Sequence, residues 1–448
     1  MKRVIALLIC LTMIVTLFTA CGSATEGKKD TGTTAATTAA NAATTAADTV
    51  KTPEKVEVLA LKVTETGGET YLKLADEFNK SHPDIQVNID MIPWANYTDK
   101  VTTNLAAGMV PDASSFKYTW LPAYIDQKIL YPLDDLYSKW QYKDDMQSYL
   151  IDLYQNASPD KKLYFMPFSI SVMYVYYRKD LFEAAGITKT PETWDDFLVA
   201  AQKLTKDTDG DGKVDQYGVT LRPTANGHEA WYSFLFGNMK DPSFYDENGK
   251  LSFTSPEVIE GNQFFIDLFK KYKVVPPTAP SDGTNEGIAY LNSGKAAMMV
   301  QHLLCSQALL KGAGEDKIGV FKIPLGKNGK RFVNIGEYSH VIYSASKVKE
   351  SAFKFISWLV EPEQHKQYAD VTETVVFLKS LIPTYKDNPY QQMSIDSLSD
   401  GKFAPISPYT QQFATKEWPA LVAKGMLQDL SSADMMQQVQ EKFFPDEK

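Results

Sequence analysis

The chain has 448 residues, 44% of them hydrophobic and 12% aromatic, with a formal net charge of −9. That length is enough for two domains with sizeable cores, and the acidic balance argues against nucleic acid as a partner. Three cysteines, Cys10, Cys21 and Cys305, leave no basis for a disulfide-stapled scaffold.

Lys2 and Arg3 precede an apolar run from Val4 to Ala20, interrupted only by Thr12, Thr16 and Thr19. This charge and length describe a secretory signal peptide, slightly short of the roughly 20 residues of a membrane span. Leu17-Phe18-Thr19-Ala20-Cys21-Gly22-Ser23 resembles a bacterial lipobox, with Phe18 where the motif usually has leucine and Leu17 one place earlier. The resemblance implies a signal over 1–20, lipid on Cys21, and anchoring at the extracellular face of a bacterial membrane, of Gram-positive type. Losing Lys2 and Arg3 takes the net charge to −11. Cys10 leaves with the signal, so Cys305, inside the apolar stretch Met298–Leu310, reads as a buried core thiol. Gly22 to Val50 is mostly Thr, Ala and Gly with no aromatic residue. Such a segment cannot bury enough surface to offset its conformational entropy, so 21–52 is expected to be a disordered tether.

The remainder alternates strands and helices. Val56–Val63 alternates like a strand, Glu69–Lys80 carries Leu72, Leu74, Ala75 and Phe78 at helical spacing, and Ile85–Ile92 is a second strand. Tyr97–Ala107 predicts a helix ended by Gly108, and Pro111-Asp112 opens a third β-unit. The pattern restarts after Pro167, with strand Ser171–Tyr177 and helix Thr193–Leu204, Thr193 as N-cap. Ser339–Ser344 and Glu350–Leu359 make a later strand-helix unit. The expectation is an α/β protein with a parallel sheet.

Seven segments in one order then become informative. Leu74–Phe78 with Asn79, Pro83, Ile85 and Val87 comes first. Gly108-Met109-Val110-Pro111-Asp112, Pro132-Leu133-Asp134-Asp135-Leu136, and Tyr177–Phe182 with Ala185-Gly186-Ile187 and Thr193–Phe197 follow. Gly294-Lys295-Ala296-Ala297-Met298, Ile323-Pro324-Leu325-Gly326 and Ala352–Ile356 complete the series. Together, behind a lipobox, they resemble extracellular solute-binding protein family 1, the maltose-binding-like receptors of ATP-driven importers. The resemblance implies a type II periplasmic-binding-protein-like fold, two α/β lobes joined by crossing hinge strands with the ligand between them. Transferred to this chain, the N-terminal lobe is 53–167 plus 337–371 and the C-terminal lobe 168–336 plus 372–448. The implied partners are a mono- or oligosaccharide and the ABC permease subunits. The protein is expected to act as a monomer, without nucleic acid, catalytic residue or organic cofactor.

A sugar site needs flat aromatic surfaces for C–H faces and polar groups for hydroxyls. Aromatic residues in loops are therefore candidates: Trp94 after the second strand, Tyr118 and Trp120 after Pro111-Asp112, Trp231 and Tyr232 at the polar run Gly227–Ala230, Tyr338, which with Glu337 precedes a crossing strand, and Trp418 in the C-terminal tail. Polar candidates are Glu65 beside Gly67-Gly68, Ser169 and Ser171 in the first hinge segment, Glu337, and Gln301 with His302. The last two stand where members of the resembled family often place a tryptophan, which weighs against a maltose-like stacking mode. Any single ring among these could equally be core packing.

Asp207-Thr208-Asp209-Gly210-Asp211-Gly212-Lys213-Val214-Asp215 has the 1, 3, 5 and 9 carboxylate spacing of an EF-hand loop, with the Lys213 carbonyl at position 7 and Gly212 at 6. Gly218 occupies position 12, where that loop has its bidentate Glu. A structural Ca2+ on Asp207, Asp209, Asp211, Lys213 and Asp215 is the expectation, against the plainer reading of an acidic surface turn. There is no G-x-S-x-G, H-E-x-x-H or P-loop, and the five histidines are dispersed. A glycosidase, built on a carboxylate pair, is the main rival class, and a surface adhesin the other. Replacing Cys21→Ala is expected to move the protein from the membrane fraction into the medium. Wild-type protein found free in the medium and unmarked by lipid labelling would overturn the anchoring.

Overall fold

Residues 52–443, apart from 121, 126, 249 and 406–408, are described by the computed structural model. The signal segment, Cys21 and all but the last residue of the expected tether lie outside the described residues. Nine strands form the sheet: β1 Glu54–Lys62, β2 Ile85–Pro93, β3 Ala113–Phe116, β4 Met166–Arg178, β5 Tyr217–Thr220, β6 Ala296–His302, β7 Ile318–Phe321, β8 Val333–Ile342 and β9 Gly401–Lys402. Their order is β2-β1-β3-β8-β4-β6-β5, with β7 on β4 and β9 on β8.

The sheet is mixed, which corrects the expectation of a parallel one. β1 pairs parallel with β2 and β3, and β5 with β6, as strand-helix-strand crossovers require. β8 runs antiparallel to both β3 and β4, and β4 antiparallel to β6 and β7. Hydrophobic periodicity fixes the existence of a strand but not its direction. Direction is set by which distant strand it meets, and β8 returns to partners that lie far upstream, Val172 of β4 meeting Ile335 and Phe116 of β3 meeting Ser339.

β4 is the longest strand and twelve of its thirteen residues are buried. Its residues Met166–Val172 pair with β8, and Met173–Tyr177 pair with β6. A strand covered on both faces reads as a continuous apolar run, which Val172–Tyr177 is. Pro167 lacks the N–H for a regular ladder, and the register shifts between Pro167 and Ser169. The sequence places the start of this strand five residues late because Pro167 looks like a boundary.

Helix ends follow their caps. Thr64 accepts from the Gly67 N–H at 3.0 Å, so the first helix runs Glu65–Ser81 and takes in Gly67 and Gly68 rather than starting at Glu69. Gly67 is needed there, since a Cβ would lie 2.8 Å from Thr64 Oγ1 and 3.1 Å from Thr372 Cγ2. Thr193 caps helix Trp194–Leu204 with a reciprocal capping box to Asp196. Gly108, at φ +72°, follows helix Trp94–Ala106. The C-terminal helices Trp418–Leu427 and Ser432–Phe443 pack on helix Pro256–Lys270 through Asn262, which donates to Ser432 Oγ at 2.9 Å. Cys305 is a buried free thiol. Among the described residues no helix is long and apolar enough to cross a membrane.

Candidate functional site

Several strand ends converge on one small cavity of about 40 Å³. After β2 comes Trp94, the first residue of its helix; after β3 come Lys117 and Tyr118. Asn226, His228, Glu229 and Tyr232 approach from the start of helix His228–Phe236, and Asn334 to Glu337 of β8 form another wall. Loops beyond the strand ends of α/β sheets are where ligands lodge.

Charge dominates this cavity. Lys117 and Glu229 face one another at 3.8 Å with only 18% and 20% of their side chains exposed. The Lys117 ammonium also lies 5.3 Å from the ring centres of both Trp94 and Tyr338, which meet edge to face at 5.7 Å. Burial opposes the ammonium, but Tyr338, Glu229 and Glu337 together hold its pKa above the ordinary lysine value. Burial likewise works against the Glu229 carboxylate, and Lys117, His228, Arg222 and His302 outweigh it, keeping the carboxyl below its usual range. Glu337 is 2% exposed. Its carboxylate accepts from the Tyr118 N–H, from Ser339 Oγ at 2.7 Å and from Tyr154 OH at 3.3 Å. Burial still pushes its pKa up to about 7.

Polar atoms without a partner gather here too. His228 Nδ1, Tyr232 OH and Asn334 Oδ1, all on cavity-lining residues, are buried and make no hydrogen bond within the protein. The same holds for Arg222 Nε, Gln301 Nε2 and His302 Nδ1 nearby. Arg222 spends its two terminal nitrogens on Thr284 Oγ1, at 2.9 Å, and the Asn226 carbonyl.

The expected site residues divide into groups. Trp94, Tyr118, Tyr232 and Glu337 line the cavity, and Tyr338 sits against Trp94 beside it. Glu337 and Tyr338 lie inside β8 rather than before it. Trp120 stacks on Tyr97 at 5.9 Å and meets Phe116 edge-on at 5.3 Å. Trp231 is fully buried, donates its indole N–H to Asn262 Oδ1 at 3.0 Å and packs 5.8 Å from the equally buried Trp418. These three rings are packing residues here, not open platforms. Trp231 lies on a helix where a loop was expected, Trp418 of the C-terminal tail opens another, and on a helix successive side chains point about 100° apart. His228, Glu229 and Tyr232, spaced i, i+1 and i+4, therefore reach the cavity while Trp231 turns into the core. Glu65 opens the first helix with its side chain 73% exposed and pairs with Lys62 at 2.9 Å, away from the cavity. Ser171 donates to the Gly336 carbonyl at 3.3 Å, Ser169 is buried, and the fully buried Gln301 accepts from the His302 N–H at 3.1 Å. Lys117, Arg222, His228, Glu229 and Asn334 went unselected because the sequence search favoured rings. The polar run Gly227–Ala230 held the signal.

In the aspartate loop, carboxylate oxygens of Asp207, Asp209 and Asp215 lie within 4.8 Å of one another. Asp207 also accepts from the Gly210 and Gly212 N–H groups at 2.6 and 2.8 Å. Asp211 stands outside this trio, facing Lys213 at 3.7 Å.

With this geometry in place, the chain belongs to the bacterial extracellular solute-binding protein family, whose model matches residues 62–366. Members work outside the cytoplasmic membrane, and the chain is a binding protein rather than an enzyme. A mannitol-binding protein of Pseudomonas aeruginosa is 27% identical over 314 residues, 66% of this chain and 67% of that one. The sugar-binding protein MalE of Xanthomonas citri has the same fold, with a TM-score of 0.75 at 20% identity over 87% of this chain and 96% of its own. An ABC transporter solute-binding protein of Agrobacterium vitis, with D-mannitol bound, gives a TM-score of 0.63 at 26% identity over 86% and 96%. The fold is thus the two-lobe, type II periplasmic-binding-protein architecture with crossing hinge strands.

The buried titratable groups set a pH dependence. His228 and His302 are pushed down to about 4 and His340 and His365 to about 3, by burial in each case. The unfolded chain takes up these protons first, so the histidines withdraw stability as pH falls below about 6.5. Glu337 acts in the opposite sense. Its pKa is raised from 4.5 to about 7, so the folded state holds the extra proton and this group's contribution declines as pH rises between those values. Denaturant melts at pH 5 and 7 are expected to show lower stability at pH 5, and Glu337→Gln should steepen that difference. An unchanged difference in the variant would mean that Glu337 titrates normally.

Proposed function

We propose that this protein is the lipid-anchored receptor of an ATP-driven importer, capturing a mono- or oligosaccharide or related polyol between its lobes and handing it to permease subunits. The lobes in this reading are 53–167 with 337–371 and 168–336 with 372–448, hinged at β4 and β8. The observation that carries it is the set of partnerless buried polar atoms around one cavity: His228 Nδ1, Tyr232 OH and Asn334 Oδ1 on its lining, Arg222 Nε and His302 Nδ1 beside it. Each such atom destabilises by about 1–3 kcal/mol when left unmet. A ligand dense in hydroxyls supplies donors and acceptors to all of them at once, and Lys117, Glu229 and Arg222 add charge-assisted bonds. The mannitol-binding relative and the mannitol-bound neighbour support this ligand chemistry. Binding then closes a hinge and involves no chemistry. The receptor works as a monomer at the outer membrane face of a Gram-positive cell, with Cys21 as its anchor.

A thermal-shift screen of saccharides and polyols identifies the ligand, since saturation at a hundred times Kd stabilises the native state by about 2.7 kcal/mol. Glu229→Ala is expected to weaken calorimetric affinity by roughly tenfold or more, the loss of one charge-assisted hydrogen bond, and ligand recovered afterwards should be chemically intact. Altered ligand would show an enzyme. Undiminished affinity in both Glu229→Ala and His228→Ala would remove the cavity as the site.

The aspartate loop is proposed to hold a structural Ca2+ through Asp207, Asp209 and Asp215, with Asp211 and the Lys213 carbonyl moving in to complete the oxygen shell that this ion requires. The convergence of three carboxylates supports it. The melting temperature should rise in millimolar calcium relative to chelator. No shift, with no calcium retained on equilibrium dialysis, sinks the proposal.

A further inference from the structure

Resting on the saccharide-receptor reading, we infer that Lys117 is the specificity determinant of the cleft and selects single sugars and alditols over oligosaccharides. Linear glucans are gripped by open aromatic faces, against which their C–H surfaces stack. The two half-buried rings at this cleft, Trp94 and Tyr338, each have the Lys117 ammonium 5.3 Å from the ring centre. A cation over a ring is held by the ring's quadrupole and takes the face a sugar would use. The Glu229 carboxylate, 3.8 Å away, helps hold it there. Other rings of the neighbourhood are packed against further rings: Tyr118 is stacked on Phe403, Tyr232 meets Phe244 edge-on, Trp231 and Trp418 are in the core and Trp120 is stacked on Tyr97.

The space agrees. The cavity is about 40 Å³, so any ligand must part its walls, and a small one must part them least. At one end the Tyr118 ring stacks on Phe403 at 4.2 Å and its hydroxyl donates to the Ala404 carbonyl. Tyr118 and Ala404 line both the cavity and a neighbouring pocket of about 290 Å³ that Phe244 and Phe403 also bound, so a longer sugar chain would have to break this contact to reach from one into the other. What the cleft does present, an ammonium, a carboxylate and a guanidinium around a few orphaned polar atoms, suits a compact molecule with a hydroxyl on nearly every carbon.

The test is calorimetric titration with D-mannitol, D-glucose and maltotriose. Wild type is expected to bind one of the two small probes at least about tenfold more tightly than maltotriose. Lys117→Met keeps the apolar stem and uncovers the rings, and should shift that ratio toward maltotriose by about tenfold, on the scale of one stacking contact plus burial. Lys117→Arg returns a cation to the rings and should restore the small-ligand preference. Maltotriose as the tightest wild-type ligand overturns the inference and leaves the receptor reading standing. So does a Lys117→Met variant that loses affinity for all probes by one common factor, because that marks a merely structural lysine. Binding of none of the three by wild type overturns the saccharide reading and this inference with it.

Discussion

Strands β4 and β8 lie antiparallel over Met166–Val172 and Ile335–His340, and both halves of the sheet hang from this one ladder. On one side β3 joins β8 and carries β1 and β2; on the other β6 and β7 join β4 and carry β5. A long, doubly covered strand cannot slip register without moving its apolar set, so the ladder is a rigid reference for everything around it. It is also where the two halves share backbone. Ser171 and Glu337 belong to this ladder, so its pairing sets where their side chains start.

The cavity concentrates buried charge. Lys117, Glu229, Arg222 and Glu337 have been drawn out of water into one neighbourhood, where desolvation penalises each ionised form; attraction outweighs that penalty at Lys117 and Glu229 but not at Arg222 and Glu337. Low dielectric makes every hydrogen bond formed there stronger and every one left unmade more expensive. The buried polar atoms around the cavity that have no partner within the protein are the groups the proposed hydroxylated ligand would meet.

Charge also explains why rings are poor guides here. Aromatic residues are abundant in this chain, and most of them pack against each other: Trp194 on Phe234, Tyr232 on Phe244, His365 on Phe377. A search for stacking platforms therefore meets mostly core. At the cavity, Trp94 and Tyr338 are engaged by Lys117, and Tyr118 by Phe403. The groups that distinguish the site are polar residues whose isolation from partners no linear pattern displays.

Taken alone, the sequence was sufficient for the class of protein and for the local elements. Seven ordered segments carried the family, Thr193 carried the cap of helix Trp194–Leu204, and apolar spacing carried β1, β2 and both that helix and Glu65–Ser81 after its first turn, which the Thr64 cap adds. These are properties of neighbours within about ten residues, or of motif order, and both are written along the chain. The mixed sheet, the burial of Trp231 and Trp418, and the meeting of Lys117 with Glu229 were decided only by tertiary structure. Each depends on which of two distant segments come together: β8 with β3 and β4, Trp231 with Asn262, a loop after β3 with a helix more than a hundred residues on. Contacts of that separation follow from the packing of whole elements, so the side of a helix that faces a cavity is settled only when the helix has found its place against the sheet.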